Sequence, residues 1–441
     1  MAATATIVET VEYRLVLIQP ASGAVLAVDA IDGCRLPRVS IPQWTRPAQQ
    51  LRKVIRATWG AETLILDIFR MNDGSTSCVA AELLDGRIPL TLRAVELDHI
   101  LNSELVEAEY SALVSLLYGK GKNPLSRIGW IDEAIAWIEE TTGRTISSRN
   151  DIEQFNVGGA FALLRFHTED DHAYWLKATG APNDHEFAFT VCLSELCPNS
   201  LPPLIAKKKD WNAWLTAEAG TPLCDPPSKE SLVGAAEGFA SLQLRTVGCV
   251  DVLLSAGAFD QRPSILRSHI DAITAYLIDA MARQTSTKAL PLSRKRLLEL
   301  AETLRAACRH METLGIPDAL IHNDLNAGNI LYDGVRCVFT DWSEAAIGNP
   351  FLSCERLCQL NPEHRETVCS VYRRSWSGRL SDASIGEAFA LMPLLAIYAY
   401  LYGRGDWFAG GAIRPQVESY ARSLARHMDH AAKAPALLEV L

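Results

Sequence analysis

The first 120 residues alternate between strand-like and helix-like patterns of apolar and polar positions. Ala48–Trp59 has helical spacing, with Pro47 at its first position and Gly60 just past its end, and Leu105–Tyr118 is a second helix of this kind. This alternation predicts an N-terminal α/β domain over residues 1–122. Its β-rich segments, bounded by turn residues, are Tyr13–Gln19, Ala24–Ala30, Thr63–Phe69 and Ser77–Leu84.

A short basic stretch rich in glycine, residues 119–124, predicts a linker and a domain boundary. Beyond it, Trp130–Thr141 is amphipathic and predicts a helix. Two strands, Ala162–His167 and His172–Ala178, precede a helix over Asp184–Leu196 and a short strand around Trp211–Leu215. Residues 123–225 are therefore predicted to form a small β-rich domain.

From Ser228 onward the pattern is helical, which predicts a helical domain over residues 226–441. One strand-and-loop region interrupts it between Ala319 and Phe351. The most apolar window, Ala388–Gly403, is uncharged but contains Pro393 and is short for a membrane span. We expect a buried helix pair there.

Composition narrows the class of protein. In 441 residues, 21% are charged and 48% are apolar, which excludes wholesale disorder. Forty-two basic residues against 52 acidic ones give a net charge of −10, so no general affinity for nucleic acid or for an anionic membrane is expected. The eleven cysteines form no C-x-x-C pair, and Glu9 and Glu12 replace the basic start of a signal peptide. We expect a cytoplasmic protein with reduced thiols.

The candidate catalytic residues lie in the strand-and-loop region that interrupts the predicted helical domain. Asp324 and Asn329 are five residues apart in one polar loop, and two short strands, Asn329–Tyr332 and Val335–Thr340, return the chain so that Asp341 reaches the same place. The oxygens of Asn329 and Asp341 would suit Mg²⁺, and Asp324 could accept the proton of an attacking hydroxyl group. This pattern indicates phosphoryl transfer. The competing interpretation is that the polar residues only form Asx turns.

The segment H-x-D-x-x-x-x-N, its hairpin and the following Asp resemble the catalytic core of the aminoglycoside phosphotransferase and choline kinase family. Gly348-Asn349-Pro350 matches the family's Gly-x-Pro element. The resemblance covers about Asp151 to the C-terminus and implies a bilobal α+β protein-kinase-like fold. It implies that Asp324 is the catalytic base, that Asn329 and Asp341 bind Mg²⁺, and that His322 braces the loop. Ser353 stands where the family commonly has an aspartate. This departure bears on the expected packing around residue 353 more than on the expected activity.

The same resemblance implies a nucleotide site in the β-rich domain. Lys177, on a strand among apolar neighbours, would hold the phosphates of ATP, with GTP as the alternative nucleotide, and would pair with Glu186, or else with Glu195. Gly158 and Gly159 would form the turn over the phosphates, and residues 214–219 would form the hinge. The alternative for Lys177 is an edge-strand lysine that points into solvent.

The order of elements in the N-terminal domain is similar to the Nudix fold. The helix that ends before Gly60, however, has Val54, Ala57 and Thr58 where Nudix hydrolases need metal-binding glutamates. We therefore predict a degenerate Nudix-like domain that serves as a binding, lid or dimerisation element, with a homodimer as one expected state.

The leading hypothesis is an ATP- and Mg²⁺-dependent kinase whose partners are a nucleotide and a small-molecule hydroxyl acceptor. The candidate acceptors are aminoglycoside-like antibiotics, sugars and amino alcohols. The fold alone does not indicate which of them is the substrate. A protein kinase and a nucleotide-binding pseudokinase module are the alternatives. The candidates for acceptor recognition are Glu344, Glu355, Arg404, Asp406 and Trp407.

Overall fold

The computed structural model describes residues 9–43, 45–69, 76–121, 125–405, 407 and 415–441. The chain divides into two compact units. The first contains the residues up to Phe187 together with Pro203–Glu218, and the second contains Ala188–Pro202 and Ala219–Leu441. The first unit is rich in strands and the second is mainly helical, which confirms the predicted α+β class.

The first unit begins with a mixed sheet of seven strands in the order β3-β2-β1-β6-β5, with β4 paired to β1 and β7 paired to β2. Strands β1 and β6 run parallel, and the other pairs are antiparallel. The strands are β1 (Thr10–Ile18), β2 (Val25–Ala30), β3 (Gly33–Arg35), β4 (Arg38–Pro42), β5 (Thr63–Phe69), β6 (Ser77–Leu83) and β7 (Arg93–Val95), and the helices are α1 (Pro47–Trp59) and α2 (Glu107–Leu117).

Helix α1 forms as the sequence predicts. Pro47 occupies its first turn, and Gly60 ends it in the left-handed conformation with φ of 66°. Leu51 and Ile55 are buried, whereas Ala57 and Thr58 are exposed. The short strands β3, β4 and β7 were not predicted, and the Nudix-like character of this domain stays a prediction.

A second, five-stranded sheet in the same unit is entirely antiparallel, in the order β11-β12-β10-β9-β8. The strand predicted around Trp211–Leu215 begins at Ala213, because Lys209–Trp211 forms a 3₁₀ turn. Strand β11 was not predicted. The elements are α3 (Trp130–Thr142), β8 (Glu153–Asn156), β9 (Phe161–His167), β10 (Ala173–Thr179), β11 (Leu204–Lys208) and β12 (Ala213–Ala217).

The two sheets of the first unit share one apolar core. Leu64 of the first sheet, Trp130 and Ile131 of α3, and Leu164 and Leu176 of the second sheet belong to the same buried cluster. Burial of apolar surface is the main favourable term in folding, so this cluster joins the predicted N-terminal domain to the predicted β-rich domain. The boundary predicted at residue 122 falls on residues 122–124, which lie outside the described part, and it stays a prediction.

A buried side chain also links the two sheets. The amide nitrogen of Gln154 in β8 donates to the Ile65 carbonyl at 2.8 Å, and the Ile65 N–H donates to the Gln154 amide oxygen at 3.0 Å. Ile65 lies at a register shift in β5, the last strand of its sheet. Gln154 therefore satisfies two main-chain groups that an edge strand leaves open.

Helix α4 (His185–Leu196) contains the boundary between the units. The second unit holds two small three-stranded sheets, β13-β16-β17 and β14-β18-β15, and the remaining helices. Its strands are β13 (Thr221–Pro222), β14 (Phe259–Gln261), β15 (Ala319–His322), β16 (Ile330–Tyr332), β17 (Cys337–Phe339) and β18 (Ala345–Gly348). Its helices are α5 (Lys229–Thr246), α6 (Val250–Ser255), α7 (Pro263–Ser268), α8 (Ile270–Ala282), α9 (Arg294–Thr313), α10 (Phe351–Leu360), α11 (Arg365–Trp376), α12 (Asp382–Gly403), α13 (Pro415–Ala431) and α14 (Pro435–Val440).

The expected buried helix pair is instead one continuous helix. α12 runs for 22 residues with Pro393 inside it, so the proline does not end the helix. By length and composition alone α12 would suit a membrane crossing, and among the described residues it is the one helix of that kind. Of its most apolar window, 56% is buried within the protein.

Replacing Gln154 by Ala should strongly destabilise the first unit. The Ile65 N–H and C=O would stay buried without partners, and we expect a loss of about 2–4 kcal/mol of unfolding free energy. Urea unfolding measures this loss. Gln49→Ala, on the half-buried side of α1, is the matched control and should change stability by less than about 0.5 kcal/mol. Equal effects of the two substitutions would contradict the linking role of Gln154.

Candidate active site

The candidate site is built on the short buried strand β15. His322, its last residue, is fully buried, and its Nε2 donates to the Thr340 carbonyl at 2.8 Å. The main-chain N–H of His322 donates to the Ser353 hydroxyl at 3.2 Å. His322 thus fixes the start of the polar loop and the end of the hairpin at once. These contacts fit the bracing role expected from the sequence.

Trp342 anchors the chain on the far side of Asp341. Its indole N–H donates to the Phe339 carbonyl at 3.2 Å, and its ring lies 4.6 Å from the His322 ring between centroids. Asp341 itself adopts the left-handed conformation, with φ of 63°. That conformation costs a non-glycine residue about 1–2 kcal/mol. A strained residue held between two buried anchors points to a functional constraint on the direction of the Asp341 carboxylate.

Hydrogen bonds bring Asp324, Asn329 and Asp341 together. The Asn329 amide nitrogen donates to the Asp324 carboxylate at 3.0 Å and to the Asp324 carbonyl at 2.8 Å. The Asn326 amide donates to the other carboxylate oxygen at 3.0 Å. The Thr340 N–H donates to the Asn329 carbonyl at 3.0 Å, which places Asp341, the next residue, beside the loop. Two amides thereby orient the Asp324 carboxylate, and the amide oxygen of Asn329 is the atom that can face a cation.

The electrostatics of the site are those of crowded carboxylates. Surrounding protein atoms, together with the negative charges of Asp324 and Asp341, raise the pKa of Glu344 above its ordinary value, and Arg356 opposes this rise. The Glu344 side chain also has an exposed part. Several hard oxygen donors near one another are the ligand set that Mg²⁺ prefers. The residues present therefore fit a divalent cation.

The candidates for acceptor recognition separate into two groups. Glu344 and Arg404 belong to the electrostatic surroundings of the site. Glu355 is buried and forms an ion pair with Arg365 at 2.9 Å, which is a packing role. The Trp407 indole donates to the Tyr402 carbonyl at 3.0 Å. Asp406 lies outside the described residues.

Arg356 is a site residue that the sequence analysis missed. Its Nε donates to the Asn323 carbonyl at 2.9 Å, immediately before Asp324, and its guanidinium lies 4.4 Å from the centre of the Tyr400 ring. It therefore supports the loop from α10. One arginine in an amphipathic helix carries no sequence signal of this role, because the contact depends on tertiary packing.

The Gly348-Asn349-Pro350 element has a packing role. A Cβ on Gly348 would lie 2.5 Å from the Gln261 carbonyl oxygen, so the pairing of β14 with β18 requires glycine there. The Asn349 side-chain oxygen accepts from the Phe351 N–H at 3.0 Å at the start of α10. Ser353, fully buried, supplies an acceptor to His322. The departure from the family's aspartate thus leaves the local packing intact.

The predicted nucleotide-binding pair lies in the first unit. The Lys177 amine donates to the Glu186 carboxylate at 2.6 Å, and both side chains are buried. The amine also lies 5.3 Å from the centre of the Phe161 ring and 5.7 Å from that of Trp214. The alternative of a solvent-facing edge-strand lysine is therefore wrong, because β10 is an inner strand of its sheet.

The predicted glycine turn connects β8 to β9. Gly158 has φ of 154°, and the Gly159 carbonyl lies 2.3 Å from where a Cβ on Gly180 would be placed. With Ala178 and Thr179 these glycines line a small pocket. The turn is thus closely packed on the end of β10.

No protein-family model and no curated protein sequence matches this chain. Among solved structures, the chain is similar to a macrolide 2′-phosphotransferase, MphH, from Brachybacterium faecium, with 15% identity over 69% of this chain and 98% of that one and a TM-score of 0.45. It is similar to an aminoglycoside phosphotransferase from Alicyclobacillus acidocaldarius, with 14% identity, 67% and 91% coverage and a TM-score of 0.44. It is also similar to choline kinase LicA from Streptococcus pneumoniae, with 14% identity, 68% and 99% coverage and a TM-score of 0.44.

These structures are of the kinds that the sequence resemblance named. Each TM-score is below 0.5, and the function proposed below therefore rests on the residues of this chain.

Breaking the Lys177–Glu186 pair should destabilise the first unit. Glu186→Gln removes the carboxylate charge that pairs with the buried Lys177 ammonium group, and we expect a loss of about 3–5 kcal/mol of unfolding free energy in urea. The double variant Lys177→Met/Glu186→Leu should lose less, because neither charge is then buried. The exposed Asp32–Arg35 pair provides the control Asp32→Asn, which should change stability by less than about 1 kcal/mol. An equal loss in the single and double variants would show that the two charges are not coupled.

Proposed function

We propose that this protein is an ATP- and Mg²⁺-dependent phosphotransferase that phosphorylates a hydroxyl group of a small molecule. One observation carries the proposal. The Asp324 carboxylate is oriented by the Asn329 amide, while the Asn329 carbonyl holds the residue that precedes Asp341. An oriented carboxylate beside two oxygen ligands is the minimal equipment for metal-assisted phosphoryl transfer.

In this proposal some of the predicted residues hold the metal ion and the others hold the nucleotide. The Asn329 amide oxygen and the Asp341 carboxylate would hold Mg²⁺. Lys177, fixed by Glu186, would hold the nucleotide phosphates, and the turn at Gly158 and Gly159 would cover them. Mg²⁺–ATP would supply the γ-phosphoryl group and neutralise the charge that develops during its transfer.

Asp324 acts as the general base. Asn326 and Asn329 each donate one hydrogen bond to a different oxygen of its carboxylate. A carboxylate has about four lone-pair sites, so both oxygens keep the capacity to accept a further hydrogen bond. The hydroxyl of the acceptor can donate to one of them, and the carboxylate takes the proton as the oxygen attacks phosphorus. The hydrogen bonds from the two amides keep the Asp324 carboxylate in this orientation during the step.

A small-molecule acceptor is favoured over a protein by the chain that follows Asp341. A 3₁₀ turn over Trp342–Glu344, then β18, lead directly into α10. Protein kinases have a long activation segment at this position. Aminoglycoside-like antibiotics, sugars and amino alcohols are the acceptor classes to test, and a cytoplasmic location and a homodimer remain expectations.

Asp324→Asn should abolish phosphoryl transfer. The amide has the same shape but cannot take the acceptor proton, and we expect kcat to fall by about 10²–10⁴-fold. A screen of ADP formation across antibiotics, sugars, amino alcohols and a protein acceptor, with the wild type and this variant side by side, measures the change.

The matched control for that screen is Asp333→Asn. Asp333 lies in the exposed turn of the same hairpin, where its side chain accepts from the Val335 and Arg336 N–H groups, and asparagine can keep these bonds. The control should retain full activity. If Asp324→Asn turned over ATP as fast as the wild type with every acceptor, the kinase proposal would be wrong.

Asp341→Asn should weaken Mg²⁺-dependent nucleotide binding by at least about tenfold. Asparagine tolerates the left-handed conformation, so the fold should persist while the metal ligand loses its charge. Calorimetric titration with ATP in the presence of Mg²⁺, and again in EDTA, separates metal-dependent nucleotide binding from metal-independent binding. Binding in EDTA should be the same in both proteins. An unchanged affinity in Mg²⁺ would rule out Asp341 as a metal ligand.

A further inference from the structure

Helices α10 and α11 bring three cysteines together in the second unit. The sulfur atoms of Cys354, Cys358 and Cys369 all lie within 4.8 Å of one another, and those of Cys358 and Cys369 are 3.8 Å apart. Cys354 and Cys358 are four residues apart, so they share one face of α10. Cys369 reaches them from α11. None of the three belongs to the candidate active site.

The spacing of the sulfurs suits a bound metal ion. A zinc–thiolate bond is about 2.3 Å long, so three thiolates around one such ion have sulfurs about 3.8 Å apart in a tetrahedral arrangement and about 4.0 Å apart in a trigonal one. The Cys358 and Cys369 sulfurs, 3.8 Å apart, already have this separation. The other sulfur pairs are at most 4.8 Å apart, so small rotations of the cysteine side chains would bring them to the same distance. A disulfide would use two of these thiols and leave the third without a role.

Two arginines supply positive charge beside the cluster. The charges of Arg365 and Arg373 act on Cys369 and would offset the negative charge of thiolates bound to an ion. Cys354 and Cys358 are buried, whereas Cys369 is only partly buried, which leaves a path for an ion from solvent. A partly accessible cluster of three soft sulfur donors is the environment that thiophilic metals select.

We propose that Cys354, Cys358 and Cys369 form a trithiolate site for one soft metal ion, Zn²⁺ or Cu⁺, that ties α10 to α11. Binding forms three metal–sulfur bonds and releases to solvent the protons that the thiols still carry, with no change of oxidation state. The site differs in chemistry from Asn329 and Asp341, whose oxygen donors suit a hard cation.

The direct test is titration of the full-length reduced chain with Cd²⁺, followed by the ultraviolet charge-transfer absorption of cadmium–thiolate bonds. The wild type should bind one tight equivalent. Cys369→Ser and Cys358→Ser should each bind at least tenfold more weakly. Cys224→Ser removes an exposed thiol outside the cluster and should bind as the wild type does. Equal titrations of the wild type and Cys369→Ser would overturn the proposal.

A second measurement needs no variant, so it stands even if a substitution prevents folding. Alkylation of the wild type, mapped by mass spectrometry, reports the reactivity of each cysteine with and without saturating metal. Zn²⁺ and Cu⁺ in separate arms identify the ion. The bound ion should slow alkylation of Cys369 at least tenfold and leave Cys224 unchanged. No protection by either ion, or a Cys358–Cys369 disulfide in a chain that binds no metal once reduced, would contradict the proposal.

Discussion

The main-chain hydrogen bond from Thr340 to Asn329 is the constraint on which the candidate active site depends. At 3.0 Å it closes the hairpin of β16 and β17 at the end where the polar loop enters. Two side chains secure the same point, because His322 holds the Thr340 carbonyl and Trp342 packs against His322. A stretch of about twenty residues thereby sets the base and both proposed metal ligands, and buried contacts, rather than flexible loops, fix their positions.

The site gives up local stability to achieve this arrangement. Asp341 occupies a left-handed conformation, and desolvation by the surrounding protein, together with the charges of Asp324 and Asp341, raises the pKa of Glu344. Both features cost free energy in the folded chain. The core around His322 and Trp342 offsets this cost. Such conflicts between local preference and tertiary position are characteristic of functional sites.

Local signals predicted much of this architecture. The proline and glycine that bound α1, the strands β9 and β10, and the hairpin before Asp341 follow from patterns within a few residues. Strand β11 was missed because it follows two prolines and shows no clear alternation. The roles of Gln154 and Arg356 and the meeting of Cys354 with Cys369 depend on contacts between elements distant along the chain. No local pattern encodes such contacts, so the structure was needed to find them.

A crystal structure of the chain with Mg²⁺ and a non-hydrolysable ATP analogue would test the central claim most directly. The account predicts electron density for a metal ion bonded to the Asn329 amide oxygen and the Asp341 carboxylate, with the Asp324 carboxylate free of the metal and near the terminal phosphate. Metal and nucleotide bound elsewhere, or a metal held by Asp324 in place of Asp341, would contradict it.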